Sequence, residues 1–243
     1  MTTLLTLLTF PSGFDQPSHS PFCVKVMGLL RLSGQEWQPK LVSNPAKMPL
    51  KRLPVLKTND RLIPDSHHIQ AWLEGQGANF YPGLDAKARA QAHALVRMTE
   101  ENLRLGLVYE RWLNDACWPI IRDAFFADVP KLFRKPISNT VRQKARAGLM
   151  AHGIAQFNET DRQTRLQIDL DSVSAQLDGK AFLFGPVPTA ADAAIVPVLD
   201  GLRCLPVDTG VRRMVHAMPD LIDYVHRGRN ALYPDEDNVA LAA

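Results

Sequence analysis

A chain of 243 residues with 46% hydrophobic and 22% charged residues has enough apolar content to bury a core and form one or two domains. Its net charge of +3 comes from basic residues spread along the chain, which argues against a nucleic-acid footprint. Cys23, Cys117 and Cys204 are odd in number, widely spaced and without a CxxC or His-rich partner, so neither a zinc site nor a disulfide framework is expected, in keeping with a reducing cytoplasm.

Met1 to Phe10 lacks the basic start of a signal peptide; Leu4 to Phe10 reads instead as a buried strand ended by Pro11-Ser12-Gly13. No apolar run approaches the ~20 residues that a membrane-spanning helix needs. After a polar loop, residues 21–33 are expected to be helical: Ser20 can cap, Pro21 suits the first position and Gly34 stops the helix. Phe22, Val26, Met27, Leu29 and Leu30 point to more than one side, so this helix should be covered on both faces. Trp37 to Val42 reads as a second strand. Leu53 to Lys57 and Arg61 to Ile63 flank the turn pair Asn59-Asp60 and read as a hairpin, followed by a helix over Ser66 to Gly75. This order predicts a mixed α/β sheet.

Gly75 to Asp85, rich in glycine, reads as a linker. Beyond it Ala92, Leu95, Val96, Thr99, Leu103 and Leu107 recur at helical spacings. Thr160 with Gln163 is expected to form a capping box ahead of Leu166, Leu170, Val173 and Leu177, and Thr189 with Asp192 a second one ahead of Ile195, Leu199 and Leu202. The tail after Pro234 is expected to fray. The predicted organisation is an α/β domain over residues 1–78 and an all-helical domain over 86–235.

Several stretches match a known family. In the first half they are Ser20-Pro-Phe-Cys-Val-Lys, Arg31-Leu-Ser-Gly34, Leu53-Pro-Val-Leu56 and Pro64-Asp-Ser66. In the second they are Glu100-Glu-Asn-Leu103, Arg111-Trp112, Ala151-His-Gly-Ile154, Phe182-Leu-Phe-Gly185, Thr189-Ala-Ala-Asp192 and Pro219-Asp-Leu221. On these the chain resembles a cytosolic glutathione transferase, within the branch related to metaxin and failed-axon-connections proteins. The resemblance implies a thioredoxin-like N-terminal domain with a mixed four-stranded sheet and an all-helical C-terminal domain. It implies a cytoplasmic homodimer that transfers glutathione to a small apolar electrophile through a stabilised thiolate, as in detoxification, with no nucleic-acid or membrane partner. The same scaffold also serves non-catalytic binding or assembly proteins, as in metaxins, and this is the alternative. A thiol-disulfide role for Cys23 is a third.

The site residues follow from the same resemblance. Ser20 stands where related proteins place a reactive cysteine and would donate a hydrogen bond to the glutathione thiolate at a helix N-terminus, unless it only caps its own helix. Ser18 is the second choice in a long loop, and His19 is expected to be solvated. Cys23 matches the second cysteine of a CxxC but reads rather as a small buried hydrophobe. Pro54 matches a cis-proline, and Leu53 before it would offer its backbone to the cysteinyl part of glutathione. Asp65 and Ser66 would hold the γ-glutamyl end, or merely cap a helix. Arg52, Lys51, Lys47 and Lys40 are candidates for the glycyl carboxylate. His67 and His68, adjacent on a helix, cannot share one metal ion well, and no metal is expected. Tyr109, Trp112, Trp118 and Phe125 are candidates for the second-substrate cleft or for core.

Overall fold

The computed structural model describes residues 4–234. Met1 to Thr3 and the residues after Pro234, including the expected fraying tail and residue 235 of the helical domain, lie outside the described residues. Four strands form one sheet in the order β2-β1-β3-β4. These are β1 (Leu5–Thr9), β2 (Trp37–Leu41), β3 (Val55–Lys57) and β4 (Leu62–Pro64). β1 runs parallel to β2 and antiparallel to β3, with Leu7 opposite Pro39 on one side and Leu56 on the other. β3 and β4 form the hairpin, with Leu56 opposite Ile63. The central position of β1 explains its burial: Leu7 is wholly enclosed and Leu5 nearly so.

Two helices accompany the sheet, α1 (Pro21–Ser33) and α2 (Ser66–Gly75). α1 ends at Gly34, whose φ of 68° is open to glycine at no steric cost. Its stretch from Cys23 to Leu30 is continuously buried, because the sheet covers one side and the second half of the chain covers the other. Even Lys25 is enclosed.

The rest is helical: α3 (Ala86–Met98), a π turn (Thr99–Leu103), α4 (Arg104–Trp112), α5 (Trp118–Phe125), α6 (Lys131–His152), α7 (Glu159–Leu177), α8 (Ala190–Arg203), α9 (Gly210–His216) and α10 (Pro219–Leu232). Apolar spacing over residues 92–107 reads as one helix, and the structure inserts a wide turn in its middle. The α7 start differs from expectation: Asn158, not Thr160, caps it, accepting the Asp161 N–H at 2.9 Å. Thr160 already lies inside the first turn, and Gln163 bonds Glu159 instead at 2.7 Å. At α8 the Thr189–Asp192 capping box is present. Asp192 is buried and accepts hydrogen bonds from the Thr189 and Leu183 N–H groups and from the Tyr224 hydroxyl at 2.7, 3.0 and 2.8 Å. α8 is the helix that α1 packs on, closely enough that a Cβ at Gly28 would meet Ala193 Cβ at 3.2 Å.

Candidate active site

The loop of residues 11–19 delivers the chain to the start of α1. It is folded on itself by reciprocal Gly13–Gln16 backbone bonds of 3.0 and 3.1 Å, with Phe14 and Asp15 at φ of 54° and 56°. Non-glycine residues rarely adopt that region, and here long-range partners hold it. Arg203 pairs with the Asp15 carboxylate at 2.9 Å, and Arg229 donates to the Asp15 carbonyl at 2.6 Å. Both arginines also pair with buried Asp200.

Ser20 occupies the N-cap position of α1, yet its side chain makes no capping bond. Its carbonyl accepts from the Cys23 and Val24 N–H groups at 3.0 and 3.1 Å. Pro21 has no N–H, so Phe22 alone has a first-turn N–H without a partner among the described residues. The helix start offers one amide, not several. Ser18 is buried: its hydroxyl donates to the Phe10 carbonyl at 3.0 Å and accepts from Thr9 at 3.1 Å, so its proton is committed within the protein. Cys23 is fully enclosed with Leu8, Leu53 and Val55, and burial pushes its thiol above the ordinary value despite nearby hydroxyls of Thr9, Ser20 and Ser18. A thiol without access and with a raised pKa is no usable nucleophile. Ser18 and Cys23, the two further candidates, are thus both enclosed.

His19 is not solvated as expected. Its ring lies against Phe125, tilted by 37° with centroids 4.5 Å apart, and so close over Gly13 that a Cβ there would come within 2.4 Å of it. Its Nδ1 is buried without a hydrogen-bond partner among the described residues. Burial, with the Arg111 charge as a second cause, pushes its pKa down to about 4, so the imidazole is neutral near pH 7. Arg111, itself buried, fixes the loop by donating to the His19 carbonyl at 2.8 Å.

The Leu53–Pro54 peptide bond is cis. The Leu53 side chain packs on Cys23 in the first turn of α1, while the Pro54 carbonyl accepts the Asp65 N–H at 3.2 Å. This bend therefore touches the starts of both α1 and α2. The N–H and C=O of Leu53 make no hydrogen bond among the described residues. Asp65 sits at φ 76°, ψ 135°, an unfavourable conformation for a residue with a Cβ, and its carboxylate caps α2 by accepting the His67 N–H at 2.9 Å. Ser66 is 5% exposed, and its hydroxyl has no partner among the described residues. Arg52 is exposed beside Leu53 and makes no ion pair among the described residues. Lys40, Lys47 and Lys51 are likewise exposed.

His67 and His68 are exposed, and among the described residues no cluster of His, Cys, Asp and Glu could hold a metal ion. His67 borders a cavity of about 330 Å³ whose lining includes Lys25, Tyr81, Arg97 and Glu100. Trp112, Trp118 and Phe125 do gather, joined by Phe126 and Phe14, with Trp112–Trp118 centroids 5.5 Å apart. Tyr109 is elsewhere: the Arg162 guanidinium covers its ring at 3.6 Å. Phe14 and the Asp15 clamp carried no signal in sequence, because the partners of Asp15 lie up to 214 positions away, and Arg111 stood out only within the Arg111-Trp112 stretch, without its bond to the His19 carbonyl.

A mixed four-stranded sheet domain followed by a helical one is also the fold of solved glutathione transferases. Glutathione S-transferase III in its apo form superposes with a TM-score of 0.59 at 17% identity, covering 98% of this chain and 96% of that one. The beta-etherase LigF from Sphingobium sp. strain SYK-6 superposes at 0.65 with 16% identity and 100% of both chains. A family model for the glutathione S-transferase N-terminal domain matches residues 21–117. The isoprene-epoxide glutathione S-transferase of Rhodococcus sp. (strain AD45) is 27% identical over 236 residues, 93% of this chain and 98% of that protein. Failed axon connections of Drosophila melanogaster is 27% identical, and metaxin-1 of Macaca fascicularis 24%, over 92% and 82% of this chain. The chain spans 56% and 65% of the lengths of those two. Over most of its length the chain is thus similar both to a glutathione S-transferase and to metaxin-like proteins. Among the described residues no helix is long and apolar enough to cross a membrane.

Proposed function

We propose that the protein binds glutathione along Leu53–Pro54 and transfers it to a small apolar electrophile. The observation that carries this reading is the unpaired main chain of Leu53, held between the starts of two helices. Buried backbone groups are almost always paired, and an extended peptide would pair this N–H and C=O as a strand does. The free Ser66 hydroxyl at the start of α2 receives the γ-glutamyl carboxylate, and the Asp65 carboxylate attends the ammonium. Arg52 takes the glycyl carboxylate. The Ser20 hydroxyl and the Phe22 N–H lower the thiol pKa by stabilising the thiolate, whose proton leaves to solvent. The sulfur then attacks the electrophilic carbon. The C–S bond forms as the bond to the leaving group, or to an epoxide oxygen, breaks, and the departing group takes that electron pair and a proton from water. A serine hydroxyl is too weak an acid to serve as a base, so acceleration rests on thiolate stabilisation and proximity. The aromatic group of Trp112, Trp118 and Phe125 supplies an apolar wall for the electrophile. A cytoplasmic homodimer is part of the reading, checked by sedimentation velocity.

Calorimetric titration with glutathione tests it. Ser66→Ala should weaken binding about tenfold or more, as loss of a charge-assisted hydrogen bond does, with thermal stability unchanged because the hydroxyl has no partner among the described residues. Ser20→Ala should keep affinity and lose turnover of a chlorinated aromatic. Absence of binding at millimolar glutathione removes the proposal. The second reading, a non-catalytic binding or assembly protein, is favoured by the relation to metaxin-1 and failed axon connections. Glutathione bound without turnover of any electrophile would select it.

A further inference from the structure

Arg111 is a buried cation without a counter-charge. It is 6% exposed, yet among the described residues it makes no ion pair and one hydrogen bond, from Nη1 to the His19 carbonyl at 2.8 Å. A guanidinium has five N–H donors, and an arginine is almost never fully buried unless paired. Glu110 beside it accepts from the Asn114 amide at 2.7 Å and lies near Arg162. Asp200, buried in α8, is bound by Arg203 and Arg229. Besides His19, the groups that sense the Arg111 charge are the thiols of Cys117 and Cys204. Burial pushes these up to about 11 and about 12, so both are neutral near pH 7 and neither supplies an anion. Arg111 stays protonated there, although burial pulls it down to about 10.

Phe125 is the centre of what surrounds this cation. The guanidinium carbon stands 5.9 Å from the Phe125 ring centre, and the rings of His19, Trp112 and Phe14 lie 4.5, 5.9 and 6.3 Å from it. All four of these rings are half-buried, so the group reaches solvent while the cation lies deeper. The Phe125 face offsets only part of the cost of a buried ion. His19 brings a second orphan to the same place, its buried Nδ1, and its neutral ring adds no charge. The guanidinium is held from the other side by α8, where a Cβ at Gly201 would stand 3.5 Å from Arg111 Nη2. A fixed, single positive charge therefore ends an aromatic group and bonds the carbonyl directly before Ser20.

We propose that this cluster is a binding site for a small apolar molecule that ends in a carboxylate, with Arg111 pairing the carboxylate and Phe14, Trp112 and Phe125 enclosing the apolar body. A planar carboxylate matches the guanidinium fork. A monoanion matches its single charge, whereas a phosphate dianion would bury a charge without compensation. The site deepens the transfer reading and rests on it for one consequence, that the electrophile carries a carboxylate. Binding itself needs no glutathione and is tested without it.

Titration of the full chain with 4-nitrobenzoate and with its neutral counterpart 4-nitrobenzamide, followed by quenching of tryptophan fluorescence and by calorimetry, tests the site. The parent chain should bind the benzoate about tenfold or more tighter, the margin that charge-assisted hydrogen bonds supply. Arg111→Met should bring the two ligands to equal affinity while leaving that of the amide unchanged, a split that an arginine serving only to tie the loop would not give. Arg111→Lys, which keeps the charge without the fork, should retain part of the preference, and it decides the matter where circular dichroism shows the Met variant unfolded. No binding of the benzoate at millimolar concentration, equal affinity for both ligands in the parent, or a preference unchanged in whichever Arg111 variant folds overturns the proposal. A failed glutathione titration with the benzoate still bound strikes the transfer reading alone, and the reverse result strikes this site alone.

Discussion

Between Gly13 and Phe125 the imidazole of His19 has little water available to solvate a charge, and its Nδ1 meets no acceptor that would reward protonation. Its folded pKa of about 4 lies below the ordinary ~6.5 it regains on unfolding. Between those values the unfolded chain binds the proton and the folded chain does not, so stability falls as pH drops from about 6.5 towards 4. Integrated from pH 7 to 5, this amounts to at most ~2 kcal/mol for one such group. Denaturant unfolding at both pH values, compared between the parent chain and His19→Gln, isolates it. The parent should lose about 2 kcal/mol more than the variant, and equal losses would show that His19 titrates freely. The neutral ring has a second consequence: it adds no positive charge beside Ser20, leaving thiolate stabilisation to the hydroxyl and the Phe22 N–H.

At the scale of elements, Asp192 shows how one side chain can fix the geometry of several. It closes the cap of α8, receives the Leu183 N–H from the preceding turn, and receives the Tyr224 hydroxyl from α10. Replacing it by alanine would orphan several buried donors at once, each costing ~1–3 kcal/mol, so Asp192→Ala should lower stability by at least ~3 kcal/mol. Asp192→Asn, which keeps one carbonyl acceptor, should cost less; equal midpoints for the two in guanidinium would refute the hub. This cap was legible in sequence because Thr189 and Asp192 are three apart and lie directly before an apolar run. The same logic misplaced the α7 cap. Asn158, Thr160, Asp161 and Gln163 supply overlapping capping patterns within one turn, and propensity does not choose between starts two residues apart. The cap of α2 was legible as a helix start, but the positive φ of Asp65 was not, because no residue type announces it. Ser20 was legible as a position and ambiguous as a role. Only the structure shows a cap residue whose hydroxyl does not cap.

Long-range contacts decide the molecule as a whole, and sequence spacing is silent about them. The most consequential joins the two halves of the chain: Lys25, in the apolar middle of α1, meets Glu100 in the π turn at 2.6 Å, with the side chains 3% and 7% exposed. A lysine inside an otherwise apolar helix looks like a misfit until its partner, 75 positions away, is seen. Removing one member of a buried pair strands the other, at ~3–5 kcal/mol. The two ends are not equivalent, because Glu100 keeps a second cation, Arg97, at 3.5 Å, whereas Lys25 has no other carboxylate partner among the described residues. Glu100→Gln should therefore cost the full ~3–5 kcal/mol and Lys25→Met distinctly less. The double variant should cost less than the sum of the two, since neither charge is then stranded, giving a coupling energy of at least ~1 kcal/mol. Urea midpoints for the four proteins decide it. Additive single effects would mean that each charge is compensated by something other than its partner, and that burial of Lys25 in α1 depends on the enclosing apolar contacts alone.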